Sequence, residues 1–137
     1  MEFQSGITVS GPAEIEEAMT RARSAGLPVF VISTAGRKDG EAFFDAVRAT
    51  LPLDPPLRSS RSWDALADSL WEGIRLLESD VAVIVWPDSW QFKKGNPTDY
   101  GVARTILDDM SKSLRNPVTT GGRPKTVSVL LEDPAAA

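Results

Sequence analysis

The chain has 137 residues, which is enough for one compact domain with an apolar core. It contains neither cysteine nor histidine, which excludes disulfide frameworks, thiolate or imidazole metal sites, and nucleophilic chemistry that depends on those side chains. Its 15 basic and 19 acidic residues leave a net charge of −4, which disfavours direct binding to nucleic acid and favours a basic partner.

The sequence offers no signal for a membrane partner. Its longest uninterrupted apolar run, residues 81–86, falls far short of the roughly 18 residues that a membrane-spanning helix needs. Residues 1–6 lack the charged and apolar regions of a secretory signal peptide. We therefore expect a cytoplasmic protein.

The first third of the chain predicts two strands and two helices. Residues 7–10 are β-prone, and a helix is expected over 12–25 because a proline opens it and a glycine follows it. Residues 28–32 form a continuous apolar run, which predicts a central strand of a parallel sheet, covered on both faces. Residues 41–51 have the apolar spacing of an amphipathic helix.

The rest of the chain predicts two further helices and two further strands. A helix is expected over 62–78 because its apolar positions recur at helical spacing. The apolar run 81–86 predicts a second buried strand, and a turn-rich stretch over 87–98 follows it. A helix over 98–114 and a strand over 126–131 complete the pattern.

This order of elements indicates a single α/β domain spanning residues 1–137. Its small sheet is expected to hold three or four mainly parallel strands, flanked by four main helices. Two helices separate the strands at 28–32 and 81–86, which differs from the one-helix crossover of a regular doubly wound sheet.

The helix over 62–78 combines a broad apolar face with an acidic edge. Along that edge Asp64, Asp68 and Glu72 recur every four residues, so they lie one helical turn apart. The plainest interpretation is a solvated helix face on which Glu72 pairs with Arg75.

The run over 62–70, Ser-Trp-Asp-Ala-Leu-Ala-Asp-Ser-Leu, resembles the barstar family of ribonuclease inhibitors. The two phenylalanines at 43–44 and the strand residues 83–86 extend the resemblance. The family's order of strand, helix, helix, strand, helix and strand agrees with the elements predicted here. The resemblance implies a barstar-like α/β core over 27–131 and makes residues 1–26 an N-terminal addition of one strand and one helix.

The resemblance also implies a function, inhibition of a basic, extracellular-type ribonuclease or a related toxin. In the family, the second helix and the loop before it enter the active-site cleft, where acidic side chains occupy the sites of RNA phosphates. Asp64 and Asp68 match those acids, and carboxylates one turn apart suit the arginine and lysine donors of such a cleft. Such inhibition by occlusion implies no cofactor. The candidate partner-binding residues are Asp64, Asp68, Glu72, Arg58, Ser62, Trp63 and Ala67.

Two features depart from the family pattern. Arg58 and Arg61 stand in the loop before the helix, where family members place aromatic residues, glycine and asparagine. Ala67 stands between the two aspartates, where the family has tryptophan. Because two cations oppose a cationic cleft, the departures favour a target other than barnase, or a member that has lost inhibition.

Other functions stay open from the sequence. The same fold could bind a protein that is not a nuclease. Alternatively, the loop over 34–40 follows a strand and opens a helix, where small α/β proteins bind phosphate, although it lacks the glycine-rich phosphate-binding patterns. An enzyme is not expected, because adjacent acids such as Asp108 and Asp109 point in different directions on a helix.

Overall fold

The computed structural model describes residues 3–136. Within these residues, four parallel strands form one sheet in the order β1-β4-β3-β2, and five α-helices flank it, which confirms the predicted α/β class. No helix in this part of the chain is long and apolar enough to cross a membrane. The elements are β1 (Gly6–Ser10), α1 (Pro12–Ser24), β2 (Val29–Val31), α2 (Glu41–Thr50), α3 (Trp63–Arg75), β3 (Val81–Trp86), α4 (Ser89–Gly95), α5 (Pro97–Arg115), β4 (Thr126–Glu132) and a final 3-10 turn (Pro134–Ala136).

The strand β3 is buried on both of its faces. All six of its residues are buried, as its continuous apolar run predicts. Val83 and Val85 pack with residues of α1, whereas Ile84 and Trp86 pack in the larger core formed with α2, α3 and α5. The sheet therefore separates two apolar layers of unequal size.

The N-terminal segment extends the sheet and covers one of its faces. β1 pairs in parallel with β4, beginning with Gly6 opposite Ser128. The helix α1 then lies over the smaller apolar layer, on the side of the sheet opposite α3 and α5. Its buried residues are Ile15, Ala18 and Ala22.

The strand β2 lies at the edge of the sheet, so the prediction that residues 28–32 form a central strand is wrong. In the sheet formed by residues 3–136, its one neighbour is β3, with Phe30 opposite Ile84. Its side chains are nevertheless partly buried on both faces, because Val29 packs in the α1 layer and Phe30 in the larger core. An apolar run reports the burial of side chains, not the number of strands that pair with the backbone.

The stretch over 87–98, predicted to be rich in turns, contains a helix, α4. The structure therefore has five α-helices within residues 3–136, one more than the four main helices predicted. Phe92 of α4 is fully buried, and its ring centroid lies 5.5 Å from that of Trp86. The turn-forming residues flank the helix, since a proline precedes it and an asparagine and a proline follow it. A helix of 7 residues between such signals is too short for periodicity to reveal.

Two contacts fix the position of α3. At Gly73 the loop before the helix crosses so closely that a Cβ would collide with the carbonyl oxygen of Pro52, so only glycine fits. Beyond the helix end, the buried Lys125 donates from Nζ to the carbonyl oxygens of Leu77 and Ser79, at 2.6 Å each. Burial lowers the pKa of the Lys125 ammonium, and the two carbonyls hold it in place.

We expect Ile15→Ala to lower the free energy of unfolding by about 2–5 kcal/mol, because Ile15 is buried between α1 and the sheet. Urea unfolding monitored by tryptophan fluorescence measures the change. Glu16→Ala, one residue further along the exposed side of α1, is the matched control and is expected to change the free energy by less than about 0.5 kcal/mol. Equal values for both variants would show that the N-terminal segment does not fold as one unit with the rest.

Candidate protein-binding site

The helix α3 begins where a serine caps it. The Ser62 hydroxyl accepts a hydrogen bond from the backbone N–H of Ala65, at 3.1 Å. Asp64 lies in the first turn, where the helix dipole favours a carboxylate. Ser62 therefore has a structural role at the start of the helix, whatever it contributes to a partner.

Burial of one side of α3 leaves its two aspartates on the other side. Leu66, Leu70 and Ile74 are fully buried in the larger core. Asp64 and Asp68 are exposed and lie one helical turn apart. The structure thus presents both acids to solvent on one helix.

A groove of about 790 Å³ runs between α3 and α5. Asp64 and Asp68 line it from α3, and Asp109 lines it from α5. The two helices therefore direct three carboxylates toward the same space. The apolar lining of the groove is Trp63, Ala67, Trp71, Val102, Ile106 and Met110.

Asp109 is the site residue that the sequence reasoning missed. Its neighbour Asp108 pairs with Lys112 at 2.8 Å, whereas Asp109 lines the groove. The two adjacent acids do point in different directions, as expected on a helix. The sequence predicts that both acids lie on one helix. It does not indicate which of the two faces α3, so Asp109 could not be identified as a groove residue.

Both tryptophans of the groove are held in fixed positions. The Trp63 ring centroid lies 4.7 Å from that of Phe44 in the core. The Trp71 Nε1 donates to Ser113 Oγ of α5 at 3.0 Å, and the Arg75 guanidinium lies 6.0 Å from the Trp71 ring centroid. Each half-buried tryptophan therefore packs on the protein with one part and lines the groove with another.

The three groove aspartates are not held in salt bridges, although Asp109 lies close enough to Lys112 to help raise the pKa of that ammonium. Asp64, Asp68 and Asp109 form no ion pair within residues 3–136. Glu72, in contrast, pairs with Arg75, and this carboxylate raises the pKa of the Arg75 guanidinium. Glu72 is also outside the lining of the groove. Within the groove, the negative charge available to a partner is therefore carried by the three aspartates and not by Glu72.

The loop before α3 carries two exposed cations. Leu57 is buried and anchors the loop, and Arg48 of α2 donates to the backbone carbonyl oxygen of Ser59 at 3.4 Å. Arg58 and Arg61 are exposed, and neither forms an ion pair in the described part of the chain. The loop therefore places positive charge just ahead of the acidic helix.

The loop over 34–40, the alternative site for a phosphate, already holds an anion. The Asp88 carboxylate accepts hydrogen bonds from the backbone N–H groups of Thr34 and Gly36, at 3.2 and 3.3 Å. A phosphate at this loop would need such N–H groups as donors. The protein occupies them with its own side chain.

The arginine of the same loop is occupied as well. Arg37 forms ion pairs with Asp39 and Asp45, at 2.7 and 2.8 Å. Its guanidinium lowers the pKa of both carboxyls. With its donors already paired, this loop is a poorer candidate for a binding site than the groove between α3 and α5.

Comparison with known proteins matches residues 27–131 to the family described as Barstar (barnase inhibitor). The matched range runs from just before β2 into β4, so it includes α3, α5 and the groove between them. Searches of curated proteins and of solved structures found no match. Because the family match covers most of the chain, this protein belongs to the barstar family.

Proposed function

We propose that this protein inhibits a basic ribonuclease, or a related toxin, by covering the active-site cleft of the enzyme with α3 and the loop before it. One observation carries the proposal: Asp64, Asp68 and Asp109 line one groove, and none of them forms an ion pair within residues 3–136. Membership of a family described as barnase inhibitors supports it.

The physical basis is replacement of phosphates by carboxylates. A cleft that binds RNA presents arginine and lysine donors to the phosphate groups. Asp64 and Asp68, one turn apart on a rigid helix, can accept hydrogen bonds from two such donors at a fixed spacing. The net charge of −4 adds attraction at longer range, which speeds association with a basic protein and weakens as salt is added.

The remaining candidate residues are assigned supporting roles. Trp63 and Ala67 border the groove and shape the apolar part of the contact. Arg58 and Arg61 would be repelled by a cationic cleft, so we propose that they face acidic groups of the target. We therefore propose a target other than barnase. Glu72 contributes less than the two aspartates, because its charge is already paired within the protein.

Occlusion of a cleft requires no bond to be made or broken, so we assign this protein neither a catalytic role nor a cofactor. We also propose that it acts in the cytoplasm of a bacterium, as the immunity partner of a secreted toxin. A barstar-fold module that binds a protein other than a nuclease would use the same groove, and a ribonuclease assay separates the two possibilities.

We expect the double variant Asp64→Asn/Asp68→Asn to lose at least about 30-fold in affinity for a ribonuclease that the parent inhibits, because truncating one side of a hydrogen-bonded charge pair at an interface costs about 2 kcal/mol or more. The inhibition constant is measured against a panel of basic secreted ribonucleases that includes barnase.

The matched control is Glu14→Gln/Glu16→Gln, which removes the same two charges from α1 on the other side of the sheet. This control is expected to inhibit nearly as well as the parent. The proposal is contradicted if the parent inhibits no ribonuclease of the panel, or if both double variants inhibit equally well.

We expect inorganic phosphate and nucleotides, at up to about 10 mM, to leave Tm unchanged relative to sodium chloride of equal ionic strength, because a ligand raises Tm only where it binds the folded state. The Thr34 and Gly36 amides already donate to Asp88, so they offer a phosphate no free donors. A rise in Tm with phosphate alone would restore the alternative in which this loop binds a phosphate ligand.

A further inference from the structure

The groove between α3 and α5 extends along most of both helices. Its lining extends from Trp63 to Trp71 on α3 and from Thr98 to Ser113 on α5. At 1.5 Å per helical residue, these spans correspond to about 12 Å along α3 and about 22 Å along α5. The groove is therefore as long as a helix of two to four turns, and it could hold a whole helical segment of a partner instead of a single side chain.

Small residues line both walls of the groove. Ala67 lies on α3, and Gly101 lies inside α5, where glycine is among the least favourable residues for a helix. A Cβ at Gly101 would meet no heavy atom within 4 Å, so packing within the described residues does not demand a glycine there. Gly73 is the contrasting case, because Pro52 leaves no room for a Cβ. The space at Gly101 is open to an approaching molecule.

The chemistry of the groove sets requirements for what fills it. Its floor and walls are mostly apolar, with Trp63, Trp71 and Met110 among the lining residues. Three carboxylates border this apolar surface, and none of them forms an ion pair within residues 3–136, although Asp109 interacts at longer range with Lys112. An occupant that satisfies both features is apolar on its buried side and positively charged along its edges.

We propose that this groove receives a basic amphipathic helix of the partner protein. The apolar face of that helix packs between α3 and α5, where Ala67 and Gly101 let its backbone approach closely, and its lysines or arginines pair with Asp64, Asp68 and Asp109. The inference rests on the proposed function only for the basic character of the partner. It adds that the partner projects a segment into this protein, in addition to receiving α3.

A helix is favoured over an extended segment because the groove offers no free strand edge. An added strand must hydrogen-bond along a sheet edge, whereas both walls of this groove are helices whose backbone groups are already paired. A third helix needs only apolar contact and suitable charges along its sides.

The test uses a defined peptide rather than an unidentified partner. The probe is an acetylated, amidated peptide of about 14 residues, the length of the groove along α5, with leucines at helical spacing and lysines elsewhere. One control peptide has the same composition with the leucines distributed around all faces, and a second replaces each lysine by glutamate. Calorimetry gives the affinity, and the indole N–H signals of Trp63 and Trp71 report the place of binding.

Three variants of the full chain complete the test. Gly101→Leu and Ala67→Leu fill the groove from opposite walls, and the open space at Gly101 leaves room for the added side chain. Each is expected to lower the affinity for the amphipathic peptide at least about tenfold while Tm stays within a few degrees of the parent's. Thr20→Leu, on the exposed side of α1, adds the same apolar surface elsewhere and is expected to bind like the parent.

The results separate this inference from the proposed function. If the patterned and distributed lysine peptides bind equally, or if Gly101→Leu binds like the parent, the inference is overturned. If substitution of Asp64 and Asp68 weakens ribonuclease inhibition but Gly101→Leu leaves it unchanged, the proposed function is supported and the proposed binding of a helix in the groove is contradicted. If the peptide binds in the groove but no ribonuclease is inhibited, the proposed binding of a helix is supported and the proposed function is contradicted.

Discussion

Burial of β3 on both faces is the constraint on which the rest of the structure depends. A strand with six buried apolar residues needs a layer of side chains above it and another below it. The helix α1 supplies one layer, and the helices on the other side pack around Trp86, whose ring centroid lies 5.0 to 5.8 Å from those of Phe43, Phe92 and Tyr100. The N-terminal segment is thus part of the packing that positions α3, although the family match begins after it.

The same packing decides which side of α3 is exposed to solvent. Once Leu66 and Leu70 enter the core, Asp64 and Asp68 must lie on the exposed side. Exposed carboxylates keep most of their hydration, so leaving them unpaired costs the fold little, and pairing them on the surface would stabilise it little. A cationic cleft that excludes water changes that balance, because charge pairs are stronger where solvent is displaced. In the proposed complex, the open groove beside these acids therefore contributes to binding rather than to folding.

Much of the fold could be predicted because the dominant signals are local. The apolar run of β3 and the serine cap and periodicity of α3 each specify an element within a few residues of sequence. The features that the sequence could not predict are those for which the deciding contact is distant. Three such features depend on elements far apart in the chain. They are the pairing that makes β2 an edge strand, the hydrogen bonds that Thr34 and Gly36 donate to Asp88, and the position of Asp109, not Asp108, in the groove. Helical spacing predicts that Asp64 and Asp68 lie together, and the resemblance to the barstar family is what made them candidate binding residues.

The most direct test of the central claim is hydrogen–deuterium exchange of the whole chain, alone and saturated with a ribonuclease that it inhibits. We expect the backbone amides of residues 62–72 and 98–113 to become protected, because α3 and α5 form the proposed binding surface, while α1 exchanges as in the free protein. Protection confined to α1, or to α4 and the loop over 34–40, would contradict it and move the binding surface away from the groove.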